Sequence, residues 1–518
     1  MTQGKGTDSV GGLLRHTSIY AIAPLFQRVL GLVLIGLYTS ALTPGEFGLV
    51  ALAELFLLFL PFLVGTNLVA GLTRFYFEHE DPRDRSSVVS GAALVLLGLA
   101  LAGALVSFVF RGAIASLLVR TQEAGSTTPF VEYIGICAWI VPFSLGTALG
   151  IQAMQVEKRS KAVTSIQLAK TVFEAAAKLW LLFGLGLGAK GLLLGMLLGE
   201  AVFGTGLAVA LFRRHGTRLI GRTFMPLVRY TLPLVPVGLF QLGLHRLDTV
   251  LISRLGPTEV AYEHAGVDVT VAEHWVGVYN LSYLIPMTFH MAAMASFMRI
   301  WVPNVFALRN DAEQADHVRR IGTLVVLGIA LAYGQVALYG RECVHLIAGR
   351  PSYLEGAKIV PWVAFAYVFY ALYALSQAAL LKLFATRTLA LLNGSALALN
   401  VALNVALIPR YGYLGAAMAT AFSFSALAAA AAIAAARMDL PPFKARTAAT
   451  AVAFALLAAV AGRSIDDVTD AWSPLALAAK LVVTAVMIGL NLAVLPAAYR
   501  AGIRESLQGL LRRLRRAA

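Results

Sequence analysis

Residues 162–184 read AVTSIQLAKTVFEAAAKLWLLFG, an apolar run that is long enough to cross a bilayer as a helix. Lys170, Glu174 and Lys178 interrupt this run at four-residue spacing. Steps of four residues place all three charges on one face of a helix. Each charge costs about 2.5–3.5 kcal/mol at the bilayer centre. This face therefore has to contact protein, water or a ligand rather than lipid, which makes it a candidate functional site.

The rest of the chain has the composition of a polytopic membrane protein. Of its 518 residues, 59% are hydrophobic and 13% are charged, and the mean hydropathy is +0.76. The charged fraction is about half that of soluble domains. Fourteen apolar runs have spanning length, at about residues 18–41, 47–72, 88–110, 131–155, 162–184, 190–212, 226–253, 276–298, 320–341, 358–384, 386–409, 412–436, 446–463 and 474–499. We expect an all-α integral membrane protein with about fourteen transmembrane helices.

The basic residues predict the orientation of these spans. With a cytoplasmic N-terminus, 28 of the 42 lysines and arginines fall in inside segments, nine in outside segments and five within spans. This asymmetry is what the positive-inside rule predicts for an even number of spans with both termini in the cytoplasm. Most of the net charge of +15 is therefore explained by topology, which argues against nucleic-acid binding. We expect a multi-pass membrane protein with both termini on the cytoplasmic side.

A weak internal duplication divides the spans into two sets of six. The residues PLFQ (24–27) and PGEFG (44–48) have counterparts in GLFQ (238–241) and PTEV (257–260). Six spans return the chain to the same side, so the two lobes would be parallel repeats related by a pseudo-twofold axis along the membrane normal. The predicted divisions are an N-lobe at 1–221, a C-lobe at 222–437, two extra spans at 438–499 and a basic amphipathic cytoplasmic tail at 500–518.

The second copy carries an insertion at residues 261–275 with two Glu-His pairs. Carboxylates and imidazoles can bind metals, but the spacing of these residues does not support a metal site. We expect a solvated loop on the outside and no metal. The chain has two cysteines, Cys137 and Cys343, and they do not form a disulfide or metal-binding pattern.

Further charges fall within predicted spans: Arg28, Glu54, Glu200, Arg246 and Asp248. Opposite charges can pair to hold helices together. The span-5 triplet has one more cation than anion and, taken alone, would not neutralise itself. Fixed cations favour an anionic ligand through charge-assisted hydrogen bonds, and embedded carboxylates could bind a coupling proton or Na⁺. No cofactor is implied beyond such an ion.

Known catalytic signatures do not occur in the sequence. It has no Walker loop, no HExxH, no nucleophile elbow and no aspartate-rich glycosyltransferase motif. The longest predicted outside loops are about twenty residues, too short for a folded catalytic domain. We therefore expect a transporter and not an enzyme. The alternatives are a cation-coupled exporter of small molecules or drugs, and a non-catalytic membrane subunit of a polysaccharide export complex.

Residues 399–423 read LNVALNVALIPRYGYLGAAMATAFS. This stretch resembles the N-x-x-x-N…I-P-x-x-G-x-x-G-A-A-x-A-T pattern of Wzx-type flippases, polysaccharide-biosynthesis proteins of the multidrug/oligosaccharidyl-lipid/polysaccharide (MOP) exporter superfamily. Residues 247–253, LDTVLIS, and 276–280, VGVYN, resemble the family's D-x-x-x-L-S…V-G-x-Y run. Two features differ from that pattern: Thr249 follows the aspartate where the family often has arginine, and the 261–275 insertion has no counterpart.

The resemblance implies a function, a substrate and a set of contacts. The protein would move an oligosaccharide linked to undecaprenyl diphosphate from the inner to the outer leaflet by alternating access, for example in O-antigen synthesis. It would work as a monomer, with a polysaccharide polymerase or export complex as a potential partner. The expected contacts to the diphosphate are Arg28, Arg74, Lys170, Lys178 and Arg299. The candidates for ion coupling are Glu54, Glu174 and Asp248.

Overall fold

The computed structural model describes residue 27 and residues 30–65, 67–120, 128–218, 220–232, 234–264, 267–307 and 312–494. Within these residues the chain is helical apart from one two-stranded hairpin, which confirms the all-helical prediction. Arg28 and the predicted amphipathic tail at 500–518 lie outside the described residues, and so does the side chain of Arg299.

Eighteen α-helices follow one another in the described part of the chain. They are α1 Leu30–Ala41, α2 Pro44–Val64, α3 Asn67–Glu78, α4 Pro82–Val109, α5 Arg111–Leu118, α6 Thr128–Val156, α7 Ser160–Leu179, α8 Gly188–His215, α9 Gly221–Thr231, α10 Leu234–Leu255, α11 Val271–Ala307, α12 Ala312–Leu338, α13 Gly340–Ile347, α14 Val360–Lys382, α15 Thr386–Tyr411, α16 Tyr413–Arg437, α17 Ala445–Asp466 and α18 Pro474–Val494. A π-helical turn, Trp180–Gly184, follows α7, and a 3-10 helix, Pro351–Ile359, precedes α14. The hairpin consists of β1 Val260–His264 and β2 Val267–Thr270.

Ten helices in the described residues are long and apolar enough to cross a membrane, namely α2, α4, α6, α8, α12 and α14 to α18. They coincide with ten of the fourteen predicted runs. The other four runs coincide with α1, with α7, with the α9–α10 pair and with α11. The protein is a multi-pass integral membrane protein, and the count of fourteen spans stays a prediction.

The described residues form two compact units. Unit 1 contains the chain up to Leu281 together with Ile347–Leu354 and Val401–Ala416, and unit 2 contains Ser282–Leu346, Glu355–Asn400 and the chain from Ala417 onward. Each unit is a group of residues that contact one another more than they contact the rest of the chain. They do not test the predicted lobe boundary at residues 221/222, which stays a prediction.

Close helix packing in unit 1 depends on glycines where α6 meets α8. A Cβ added at Gly204 would lie 2.1 Å from the Phe143 carbonyl oxygen, and one at Gly146 would lie 2.9 Å from the Gly204 carbonyl oxygen. Neither distance is compatible with a side chain. Small residues of this kind let helices approach in a membrane, where hydrophobic burial does not drive association. This packing fixes the position of α8 relative to α6.

The hairpin of unit 1 packs on the start of α2. A Cβ at Gly45 would lie 2.0 Å from Val269 Cγ1, and one at Gly277 would lie 1.7 Å from the Pro44 carbonyl oxygen. The Gly45 amide donates to the Tyr262 hydroxyl at 3.2 Å. The 261–275 insertion is therefore not the solvated loop expected from the sequence. The alternating residues Val267-Asp268-Val269-Thr270 form a strand whose Val269 side chain is buried.

Unit 2 contains a buried ion network that joins α18 to its neighbours. The fully buried Lys480 Nζ donates to both Glu342 carboxylate oxygens, at 2.6 and 2.7 Å, and to Asp466 Oδ1 at 2.7 Å. Arg341 Nη1 donates to the backbone carbonyl oxygens of Asp466 and Thr469, at 2.8 and 2.6 Å. The network ties α13, α17 and α18 together. Lys480 lies within the last predicted span, at residues 474–499.

Replacing Lys480 with methionine should destabilise unit 2, because Glu342 and Asp466 would lose their shared cation. Removal of one partner from a buried ion pair costs about 3–5 kcal/mol. Thermal unfolding of the purified protein in detergent measures the effect. The matched control is Asp467→Asn, which breaks the exposed Arg463–Asp467 pair at 3.9 Å and should leave the unfolding temperature unchanged. Equal unfolding temperatures for Lys480→Met and the unaltered protein would contradict this role.

Candidate functional site

The charged triplet lies on one face of α7, as its spacing predicts. Lys170 Nζ is 3.0 Å from Glu174 Oε2, and Lys178 Nζ is 2.7 Å from Glu174 Oε1. The two lysines thus bind the same carboxylate from one helical turn below and one turn above. Each of the three side chains keeps 17% of its surface exposed. The cluster is therefore mostly buried, with a small part of each side chain still exposed.

A second carboxylate enters the cluster from α8. Glu200 Oε1 is 3.0 Å from Lys170 Nζ, and Glu200 Oε2 accepts a 2.7 Å hydrogen bond from the Thr147 hydroxyl of α6. Thr171, one residue beyond Lys170, accepts a hydrogen bond from Gln27 Nε2 at 2.9 Å. The site is thus built by three helices, α6, α7 and α8, that all belong to unit 1.

The position of Glu200 changes the net charge of the cluster from the value expected for the triplet alone. Taken alone, the triplet retains one surplus cation. The folded protein combines two lysines with two carboxylates, which balance when all four groups are ionised. The physical reason is that α8 packs on α7 and brings Glu200 next to Lys170. The cluster therefore has no excess positive charge when all four groups are ionised.

Three glycines of α8 make this approach possible. A Cβ at Gly195 would lie 2.7 Å from the Lys178 backbone nitrogen, and one at Gly199 would lie 3.1 Å from Glu174 Cβ. One at Gly191 would lie 3.0 Å from the Leu181 carbonyl carbon. Sequence analysis missed this stripe, although its signal, glycine at i, i+4 and i+8, is readable in the sequence as a small-residue packing face.

Further ionisable groups lie within electrostatic range of the cluster. Glu54, in the middle of α2, interacts with Lys178, Arg246 and Glu174. Tyr38 of α1 interacts with Lys178, Glu174 and Glu54. The Glu54 side chain is exposed although it lies at the centre of a spanning helix. Glu54 thus lies within electrostatic range of Lys178 and Glu174, with Arg246 as a further cation, and its role in ion coupling stays a prediction.

The contacts described for the other predicted residues are with residues outside this cluster. Asp248 is buried, accepts a short hydrogen bond from the Tyr279 hydroxyl and accepts another from the Thr249 amide at 2.8 Å. Arg74 is exposed on α3, where its guanidinium lies 5.9 Å from the Phe75 ring centroid. Arg28 and the Arg299 side chain lie outside the described residues.

The sequence matches the polysaccharide biosynthesis protein family over residues 13–308, more than half of the chain. The chain belongs to this family. The prediction of a transporter rather than an enzyme agrees with this family assignment. A comparison with curated proteins finds no match.

Solved structures of a flippase and of multidrug resistance transporters have a similar fold. The lipid II flippase MurJ in an inward closed conformation has a TM-score of 0.68 and 14% identity, over 91% of this chain and 98% of that chain. An inward-facing multidrug resistance MATE family transporter of the MOP superfamily has a TM-score of 0.61 and 14% identity, over 82% and 97%. An outward-facing one has a TM-score of 0.53 and 15% identity, over 82% and 94%. The family member therefore has the MOP transporter fold.

Replacing Gly195 with alanine should separate α7 from α8, because the new Cβ would meet backbone atoms of Lys178. Gly206→Ala is the matched control on the same helix, since a Cβ at Gly206 meets no atom within 4 Å. The control should be neutral or slightly stabilising, because alanine is the better helix former by roughly 1 kcal/mol. Thermal unfolding of both purified variants checks the difference, and equal unfolding temperatures would contradict the tight packing.

Proposed function

We propose that the protein is a flippase that moves an undecaprenyl diphosphate-linked oligosaccharide from the inner to the outer leaflet for polysaccharide biosynthesis. It works by alternating access with two six-span lobes and two extra spans, divided as the sequence predicts. Fourteen spans would leave both termini on the cytoplasmic side of the bacterial inner membrane. Membership of the polysaccharide biosynthesis family supports this assignment.

The observation that carries the proposal is the ion-pair cluster of α7 and α8. Lys170 and Lys178 are held in place by Glu174 and Glu200, and all four side chains lie inside a spanning protein. An ammonium group binds phosphate oxygens through the same charge-assisted hydrogen bonds that it forms with carboxylates. A diphosphate can therefore replace the carboxylates as the partner of both lysines.

This exchange of partners provides a route to ion coupling. When the lysines turn to the diphosphate, Glu174 and Glu200 lose their cations, and an unpaired carboxylate in a low-dielectric site takes up a proton or another cation. Glu54 lies in the same electrostatic group and is a second candidate. Asp248 is the remaining candidate from the sequence, at a separate buried position. A ligand drives the conformational switch only if its affinity differs between the two states.

The basic residues of the cytoplasmic side complete the proposal. Arg74 and Arg299, at the inner ends of the second and eighth predicted spans, would capture the diphosphate from the cytoplasmic leaflet, and Arg28 would contact it within the first span. We propose a monomeric transporter that supplies a polysaccharide polymerase or export complex. The lysines of the cluster would bind the diphosphate and not the sugars, so they do not select a particular sugar composition.

A cation-coupled exporter of small molecules is the second candidate function. The fold similarity to a multidrug resistance transporter favours it, as does the balanced charge of the cluster. The two candidate functions predict that different molecules accumulate in cells that lack the protein. A flippase leaves lipid-linked glycan on the inner leaflet, whereas an exporter leaves a small molecule inside the cell. A non-catalytic export subunit would require a partner protein for either effect.

Replacing Lys170 and Lys178 together with alanine should abolish glycan export, because the diphosphate loses both ammonium groups. We expect the transport rate to fall by at least about tenfold, the effect of losing roughly 1.4 kcal/mol of binding. The measurement is the amount of lipid-linked glycan on the inner leaflet of cells that carry only the variant. Lys190→Ala, which breaks the more exposed Lys190–Glu132 pair, is the control and should export normally.

A neutral variant separates transport from folding. Lys170→Met, Lys178→Met, Glu174→Gln and Glu200→Gln together remove all four charges and leave no carboxylate unpaired. This variant should reach the membrane at normal levels and still fail to export. Normal export by the neutral variant would show that the lysines do not bind the substrate.

A further inference from the structure

His290 lies near the middle of α11, which has 37 residues. A helix of this length measures roughly 55 Å, and the hydrocarbon core of a bilayer is about 30 Å thick. His290 is therefore far from both ends of its helix, and it is 8% exposed. An ionisable residue at this depth in a membrane protein is a functional-site candidate by default. Sequence analysis considered carboxylates for ion coupling and did not consider this histidine.

Three tyrosines of unit 2 surround the imidazole. The His290 ring centroid lies 4.7 Å from that of Tyr367, 5.3 Å from that of Tyr370 and 5.9 Å from that of Tyr333. Tyr333 belongs to α12, and the other two belong to α14. A cation within about 6 Å of an aromatic centroid is attracted to the ring, most strongly over its face. The three rings thus form an aromatic cage around a side chain that becomes a cation when it binds a proton.

The hydroxyl groups around the cage provide hydrogen-bonding partners. His290 Nδ1 and the Tyr333 hydroxyl are 2.5 Å apart. The Tyr367 hydroxyl donates to that of Tyr283 at 3.3 Å. Among the described contacts of His290, the titratable groups are the tyrosines of α12 and α14. They are ordinarily neutral at physiological pH because the usual pKa of tyrosine is near 10. Histidine is the side chain whose ordinary pKa lies closest to neutrality.

We propose that His290 binds the proton that couples transport to the proton gradient. A proton from the aqueous phase adds to the unprotonated ring nitrogen and converts imidazole to imidazolium, without any other covalent bond forming or breaking. Both ring nitrogens then donate hydrogen bonds, so Nδ1–H donates to the Tyr333 oxygen. The three ring systems stabilise the positive charge in place of a carboxylate. This inference rests on the proposed function, because coupling has meaning only for a transporter.

The position of the cage explains how proton binding can shift a conformational equilibrium. The histidine comes from α11, and its partners come from α12 and α14. A relative movement of these helices changes the distances between the imidazole and the rings. The proton affinity then differs between conformations, which is the condition for a ligand to shift their populations.

Nitrogen-15 NMR of histidine-labelled full-length protein in lipid tests the proton site directly. The His290 signal is the one that disappears in His290→Gln, and we expect it to change from neutral to cationic between about pH 8 and pH 5. The control is His345→Gln in α13, which should leave that signal in place. A His290 signal that stays neutral over the whole range would overturn the proposal. This titration requires no substrate, so its outcome is independent of whether the proposed substrate is correct.

Two further variants test the cage and do not require His290→Gln to fold. Tyr367→Leu removes the closest ring and should lower the midpoint of the titration by about one pH unit. Tyr333→Phe keeps the ring, removes the hydroxyl and should also lower the midpoint. Midpoints that stay unchanged in both variants would show that the cage does not stabilise the imidazolium.

Transport in cells tests the coupling. In cells that carry His290→Gln, dissipating the proton gradient with an uncoupler should no longer increase the lipid-linked glycan on the inner leaflet, whereas it should do so in cells with His345→Gln. A normal response of His290→Gln to the uncoupler would overturn the coupling role. Absence of glycan accumulation when the whole protein is removed would instead refute the proposed function, and the NMR result would still stand.

Discussion

The close contact of α7 with α8 is the constraint on which the candidate site depends. A charge in the membrane interior has to be neutralised or solvated, and the charges of α7 obtain a second carboxylate only because α8 approaches them through glycines. The glycines at positions 191, 195 and 199 form the face of α8 that packs on α7, and Glu200 directly follows the last of them in the sequence. These glycines therefore determine both the packing of the two helices and the ion pairing, since larger side chains on this face of α8 would separate Lys170 from Glu200.

Local patterns in the sequence predict much of this arrangement. Four-residue spacing places Lys170, Glu174 and Lys178 on one face, and apolar runs locate the helices, because both depend on neighbours along the chain. Glu200 was recognised only as one of several embedded charges, since its contact with Lys170 spans thirty residues and depends on tertiary packing. The Lys480 network was missed for the same reason, because its partners Glu342 and Asp466 lie on two other helices.

The insertion shows a different limit. Its acidic and histidine residues favoured a solvated loop. The alternation at residues 267–270, which form β2, was not used in that prediction. The deciding contact, between Val269 and Gly45, joins parts of the chain more than two hundred residues apart, and a glycine at position 45 does not reveal what will pack against it.

The balanced charge of the α7–α8 cluster also has an electrical consequence. Moving one elementary charge through the membrane potential involves about 2.3 kcal/mol per 100 mV. Two lysines and two glutamates that move together carry no net charge. Their displacement therefore does no net work against the membrane voltage. With the cluster filled by its own carboxylates, the resting transporter can rearrange at this site without sensing the potential, and voltage acts there only on charges that enter or leave the cluster.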